Sequence, residues 1–195
     1  MMESTNTRWV DFYQHKAADH KNRTLVDLWT QTFDELEKNH DFIQWMFPLP
    51  EPSPVNPLAP LLDANTLAAA QQNNQVKQNL LRSFDTMAAF WGFTRNDEGG
   101  VQPSAQFSIQ SKKWCCYNDH NQLRLTRMLR CMSLIGHHDL ASRTVEFLLM
   151  QIAQAGIDLN SVSSINYWIQ AVEDVDELEL TMEDFEENSI QSINL

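Results

Sequence analysis

The chain has 195 residues, a formal net charge of −12 and three cysteines. No apolar run approaches the ~20 residues of a membrane-spanning helix, and the length predicts one large domain that buries its core without disulfide staples. The charge is concentrated: nine acidic residues and no Lys or Arg lie between 173 and 195, leaving 17 acidic against 14 basic residues elsewhere, so the near-neutral body gives no general support for nucleic-acid binding, whose electrostatic footprint is a basic surface.

In chain order, Trp9, Val10, Phe12 and Tyr13 predict either a short first helix or an extended arm laid on the core. Leu25, Leu28, Trp29, Phe33 and Leu36 recur at helical spacing behind Thr24 and Asp27, an N-cap with an acid in the first turn. Asn39 is expected to close that helix in a left-handed conformation, and Asp41 to cap a second, short one. In the short helix Phe42, Ile43, Trp45, Met46 and Phe47 point apolar bulk in nearly every direction, so it must be buried on most sides. Pro48, Pro50, Pro52, Pro54, Pro57 and Pro60 then forbid further helix and predict a stiff, extended strap.

Asp63 and Thr66 are candidate caps for the next helical stretch, and the polar run 71–75 reads as an exposed face or a kink. Val76, Leu80, Leu81, Phe84, Met87, Ala88 and Trp91 predict a long helix ended by Gly92. Residues 94–113, with Asn96, Asp97, Gly99, Gly100 and Pro103, are expected to form a long surface loop. Asn118, Asp119 or Asn121 caps a helix whose buried stripe is Leu125, Met128, Leu129, Met132 and Ile135, stopped by Gly136. A further helix begins near His137 to Asp139 and stops at Gly156, and a last one follows Asn160 or Ser161 through Ile165, Trp168 and Val172. The expectation is therefore all-α: a compact single domain of about six or seven helices over residues 7–172, with a proline-rich strap and an acidic C-terminal tail over 173–195.

The chemistry-bearing residues gather in two stretches. Arg124, Arg127 and Arg130 stand three residues apart, so adjacent pairs share a helix face. With His120 and Asn121 they could grip a carboxylate or phosphate; alternatively they are structural and pair with Glu35, Glu37 or Asp41. His40, at a helix break, either satisfies freed backbone carbonyls or joins Gln44 and Trp45 to line a pocket with Arg124 and Arg127. Cys115, Cys116, His120, Cys131, His137 and His138 are metal-binding residue types without CxxC, HxxxH or HExxH spacing. No metal or cofactor is expected, and no phosphate loop, nucleophile elbow or dinucleotide fingerprint argues for an enzyme. The odd cysteine count and the absence of a signal-peptide pattern predict a reducing, cytoplasmic setting. The tail alternates acids with Val175, Leu178, Leu180, Met182, Phe185, Ile190 and Ile193, a pattern for docking on a partner or on the Arg124 to Arg130 face, or for a solvated segment.

The two stretches also carry a resemblance. HDFIQWMFPLPEP, from His40, and HNQLRLTRMLRCMSLIG, from His120 to Gly136, resemble the two signatures of the conserved N-terminal domain of opioid growth factor receptor proteins, and the intervening FWGF fits as well. The similarity covers roughly residues 7–172. It implies a binding role: vertebrate members act as intracellular, nuclear and perinuclear receptors for an enkephalin peptide and restrain growth. On that footing the chain reads as a non-enzymatic binding module for a peptide or protein partner, with His40, Gln44, Trp45, Asn121, Arg124 and Arg127 as ligand-binding candidates. The alternative is an uncharacterised enzyme, or an anion- or nucleotide-binding protein, built on Arg124, Arg127 and His40.

Overall fold

Capping chemistry divides the first apolar stripe. Thr24 caps α2 (Leu25–Trp29) through a reciprocal bond with Asp27, as expected. A second such box, Thr32 with Glu35, then opens α3 (Phe33–Lys38), so the helix predicted to run unbroken to Leu36 is two helices. Asn39 leaves α3 with φ −85° and ψ 135°, extended and not left-handed. Asp41 does not cap α4 (Ile43–Met46), which follows Phe42 without a side-chain cap. Its carboxylate is held instead by Lys21 at 2.7 Å, Arg23 at 3.2 Å and His20 at 3.4 Å. The two local cations, Lys21 and Arg23, outcompete the backbone amides for that carboxylate.

The computed structural model describes residues 5–53 and 56–173. Residues 174–195 of the acidic tail, and the docking expected of them, lie outside the described residues. Ahead of α2, the arm at the N-terminus is a helix, α1 (Thr5–Tyr13), with Trp9, Phe12 and Tyr13 fully buried. It packs on α5 (Ala64–Gln71), capped by Asp63, and on α6 (Asn74–Trp91), capped by Asn73. The polar run 71–75 is thus the break between two helices. Between α4 and α5, Leu49 and Leu61 form an isolated parallel bridge, and the Leu62 amide donates to the Leu49 carbonyl at 3.0 Å.

α6 ends at Gly92 with φ +91°, where a Cβ would meet Gln110 Cβ at 2.9 Å and Phe107 Cα at 3.0 Å. Only glycine allows both that turn and that approach. The stretch expected to be a loop is instead ordered. β1 (Phe93–Arg95) and β2 (Val101–Pro103) pair antiparallel, and α7 (Phe107–Gln110) follows. The Asn96 side chain makes the turn by accepting from the amides of Glu98 and Gly100 at 3.1 and 2.8 Å.

α8 (His120–Ile135), capped by Asp119 and ended by Gly136, packs along α9 (His138–Gln154). α10 occupies 164–173 and seats Trp168 on α8, its indole donating to the Gln122 carbonyl at 3.0 Å. The count is ten α-helices among the described residues, above the six or seven expected, because caps cut long stretches into short helices. The fold is mostly helical, with the small hairpin as the one sheet among the described residues. All six tryptophans are buried, and Cys131 packs as a small apolar residue whose thiol burial pushes above its ordinary pKa. No helix among the described residues is long and apolar enough to cross a membrane.

Candidate functional site

The six-residue α3 ends at Lys38 and the four-residue α4 at Met46, eight residues further on. Each end exposes carbonyls that need donors. α8 supplies them. The Arg124 guanidinium, only 6% exposed, donates to the carbonyls of Leu36 at 2.9 Å and Asn39 at 2.8 Å and more weakly to that of Glu37. One helical turn on, Arg127 donates to the carbonyl of Phe47 at 3.1 Å. α1 completes the α4 end: the Trp9 indole donates to the Trp45 carbonyl at 2.8 Å, and the Tyr13 hydroxyl to the Met46 carbonyl. The two arginines are thus backbone caps, and Arg130 alone of the three forms an ion pair with a carboxylate among the described residues, Glu51 at 2.7 Å. Glu37 pairs with His120 at 3.1 Å rather than bonding an arginine side chain directly.

This arrangement leaves a cleft of about 520 Å³ between the 40–44 stretch and α8. His40, Ile43 and Gln44 form one wall and Arg124 and Arg127 the other, with Leu123 and Tyr167 on the rim. Four of the six candidates therefore meet at one cleft. Trp45 and Asn121 do not line it. Trp45 lies beneath, packed edge-on to Phe12 and stacked on His20. Asn121 is fully buried and accepts from the Trp91 indole at 3.2 Å while its amide faces Glu37. Sequence reading missed Leu123 and Tyr167, although both sit off the buried stripes of their helices and are 60% and 51% exposed. A smaller, polar recess of about 430 Å³, lined by Lys21, Lys38 and Asp41, adjoins across His40 and Gln44.

His40 is exposed, not buried as a carbonyl-satisfying imidazole would be. Its Nδ1 lies 3.1 Å from Arg124 Nη2 and its ring 5.4 Å from that of His120. Arginine has no acceptor, so His40 Nδ1 must accept, which requires the neutral ring. Partial burial, Arg124 and His120 together hold its pKa below the ordinary histidine value, against the pull of Glu37 and Asp41. Because the folded-state pKa is depressed, the associated stability is present above the unfolded value of about 6.5 and is lost as pH falls through the folded one. An NMR titration is expected to give His40 a midpoint below that of a free histidine. A midpoint at or above it would show that the Arg124 contact does not hold in solution.

The cleft is built where the two sequence signatures meet, and its floor is their joint. The chain matches the opioid growth factor receptor conserved region over residues 3–188. It belongs to that family. The match extends into the acidic stretch beyond α10. Among curated relatives, the chain is 30% identical to the opioid growth factor receptor of Rattus norvegicus over 169 residues and to that of Homo sapiens over 172, in each case 84% of this chain. It is 25% identical over 151 residues, 77% of the chain, to opioid growth factor receptor-like protein 1 of Mus musculus. These matches span only 29%, 25% and 32% of the respective relatives' lengths. No solved structure matches the chain significantly.

Proposed function

We propose that this member of the opioid growth factor receptor family is a non-enzymatic binding module, acting in the cytoplasm, that takes a short peptide with a free carboxylate in the cleft between α4 and α8. The observation that carries this reading is Arg127. It lines the cleft, and the Phe47 carbonyl is its one acceptor among the described residues, with no carboxylate paired to it. Burial opposes its charge, so an incoming carboxylate gains a charge-assisted, bidentate bond. Leu123 and Tyr167, beside it, offer apolar and aromatic surface to the peptide's side chains. The relatives are named as receptors, which supports a peptide or protein partner.

The test is a thermal-shift and calorimetric titration with an enkephalin carrying a free C-terminus, with its C-terminal amide, and with inorganic phosphate and ATP. The free peptide is expected to raise the melting temperature, since it binds the native state alone. Amidation, or Arg127→Gln in protein that remains folded, is expected to weaken binding about tenfold or more, which is the scale of one charge-assisted pair. Stabilisation by ATP but by no peptide, or its turnover dependent on His40, would replace this reading with the anion- or nucleotide-binding one built on His40, Arg124 and Arg127.

A further inference from the structure

Away from that cleft, at the start of α9, the described residues enclose a second polar recess of about 460 Å³. α9 is 17 residues long, and its N-cap His137 makes no side-chain capping bond. The first bond of the helix ladder runs from the Ala141 amide to the His137 carbonyl, so the amides of Asp139 and Leu140 meet no acceptor among the described residues. Such orphan donors at the positive end of a long helix attract anions.

A helix start alone is not a site, but Ser133 adds an independent feature. The residue is 2% exposed and is one of those lining the recess, and its hydroxyl has no hydrogen-bond partner among the described residues. A buried hydroxyl without a partner is destabilising, and a ligand oxygen would satisfy it. Arg143 closes the other side. It donates Nη1 to the Glu98 carbonyl at 2.9 Å, which fixes the guanidinium against the hairpin turn at Gly99. Lys77 reaches the rim, its Nζ 3.6 Å from the place a Cβ on Gly136 would take. The acid on the recess is Asp139, in the first turn of α9.

We infer that this recess is a binding site for a phosphate-type oxyanion, held by the Asp139 and Leu140 amides, the Ser133 hydroxyl and Arg143. The donors are spread over two helices and converge from different directions. A tetrahedral anion with three or more free oxygens can answer all of them, whereas a planar carboxylate cannot. His137 is not counted among the donors: its Nε2–H is already given to the Lys77 carbonyl at 3.0 Å, and burial holds its pKa below the ordinary histidine value despite that bond. The site is independent of the peptide cleft and does not rest on the function proposed for it.

The experiment is an amide-resolved NMR titration of the full chain with inorganic phosphate. The expected result is saturable shifts at the Asp139 and Leu140 amides. Arg143→Gln should weaken binding about tenfold, Ser133→Ala should weaken it less, and Asp139→Asn should tighten it. Arg127→Gln should leave these shifts unchanged, which separates the site from the cleft. Unsaturable shifts, shifts confined to the amides around Arg124 and Arg127, or an Arg143→Gln response equal to wild type would each overturn the inference. A spectrum of the free variant dispersed like that of wild type excludes misfolding as the cause of any loss.

Discussion

Replacing Arg124 with alanine is expected to lower the unfolding free energy by about 2–5 kcal/mol, the scale of leaving two buried carbonyls without donors. The physical reason is the geometry of its acceptors. Leu36 and Asn39 present carbonyls at the end of α3, and one guanidinium spans both, with Asn121 and His40 alongside. Truncation leaves those carbonyls without donors at the joint between the two signatures. Arg124→Lys should recover less than half of the loss, since an ammonium on a flexible stem cannot reproduce the planar fork. Urea unfolding is the measurement, read as a lower midpoint with an unchanged slope. A loss below about 1 kcal/mol, the size of an ordinary exposed interaction, would mean that α3 and α4 hold their ends without α8.

Trp9→Ala is expected to destabilise by about 3–5 kcal/mol, the range for removing a fully buried indole. Trp9 is 0% exposed, its ring centroid lies 4.6 Å from that of Tyr13, and its Nε1–H caps the Trp45 carbonyl. Packing and capping can be separated. Trp9→Phe keeps most of the apolar contact and loses only the capping bond, so it should cost about 1–3 kcal/mol. Trp9 and Arg127 serve neighbouring carbonyls of the same short helix. Their double mutant should therefore lose less than the sum of the singles, because the first loss already frees the end of α4. Strict additivity in a double-mutant cycle would refute a shared cap.

The sequence shows the long helices plainly because their apolar stripes and stops agree: α6 with Gly92, α8 with Asp119 and Gly136. It conceals the division of α2 from α3, since Phe33 and Leu36 continue the stripe while Thr32 and Glu35 interrupt the backbone. Local capping overrides periodicity there. Asp41 misleads for a related reason: its acceptors serve Lys21 and Arg23, neighbours in space that a scan for caps cannot weigh. At the cleft, His40, Gln44, Arg124 and Arg127 were legible as charged or polar residues in two marked stretches. Trp45 and Asn121 share those stretches yet face the core, because motif membership says nothing of direction. Leu123 and Tyr167 were hidden as ordinary exposed apolar residues, and only the third dimension sets them on one rim.

The capping arginines bear on how this domain can change its preferences over time. Arg124 and Arg127 are at once wall and joint of the cleft, so a substitution made there to change the proposed peptide binding would also loosen the fold. Leu123, Thr126 and Tyr167 touch the same space without serving a backbone carbonyl at that joint. Selection for a new ligand would find freedom at those three positions and resistance at the two arginines. The domain divides into an inherited floor and an adjustable rim, and diversification should proceed along the rim.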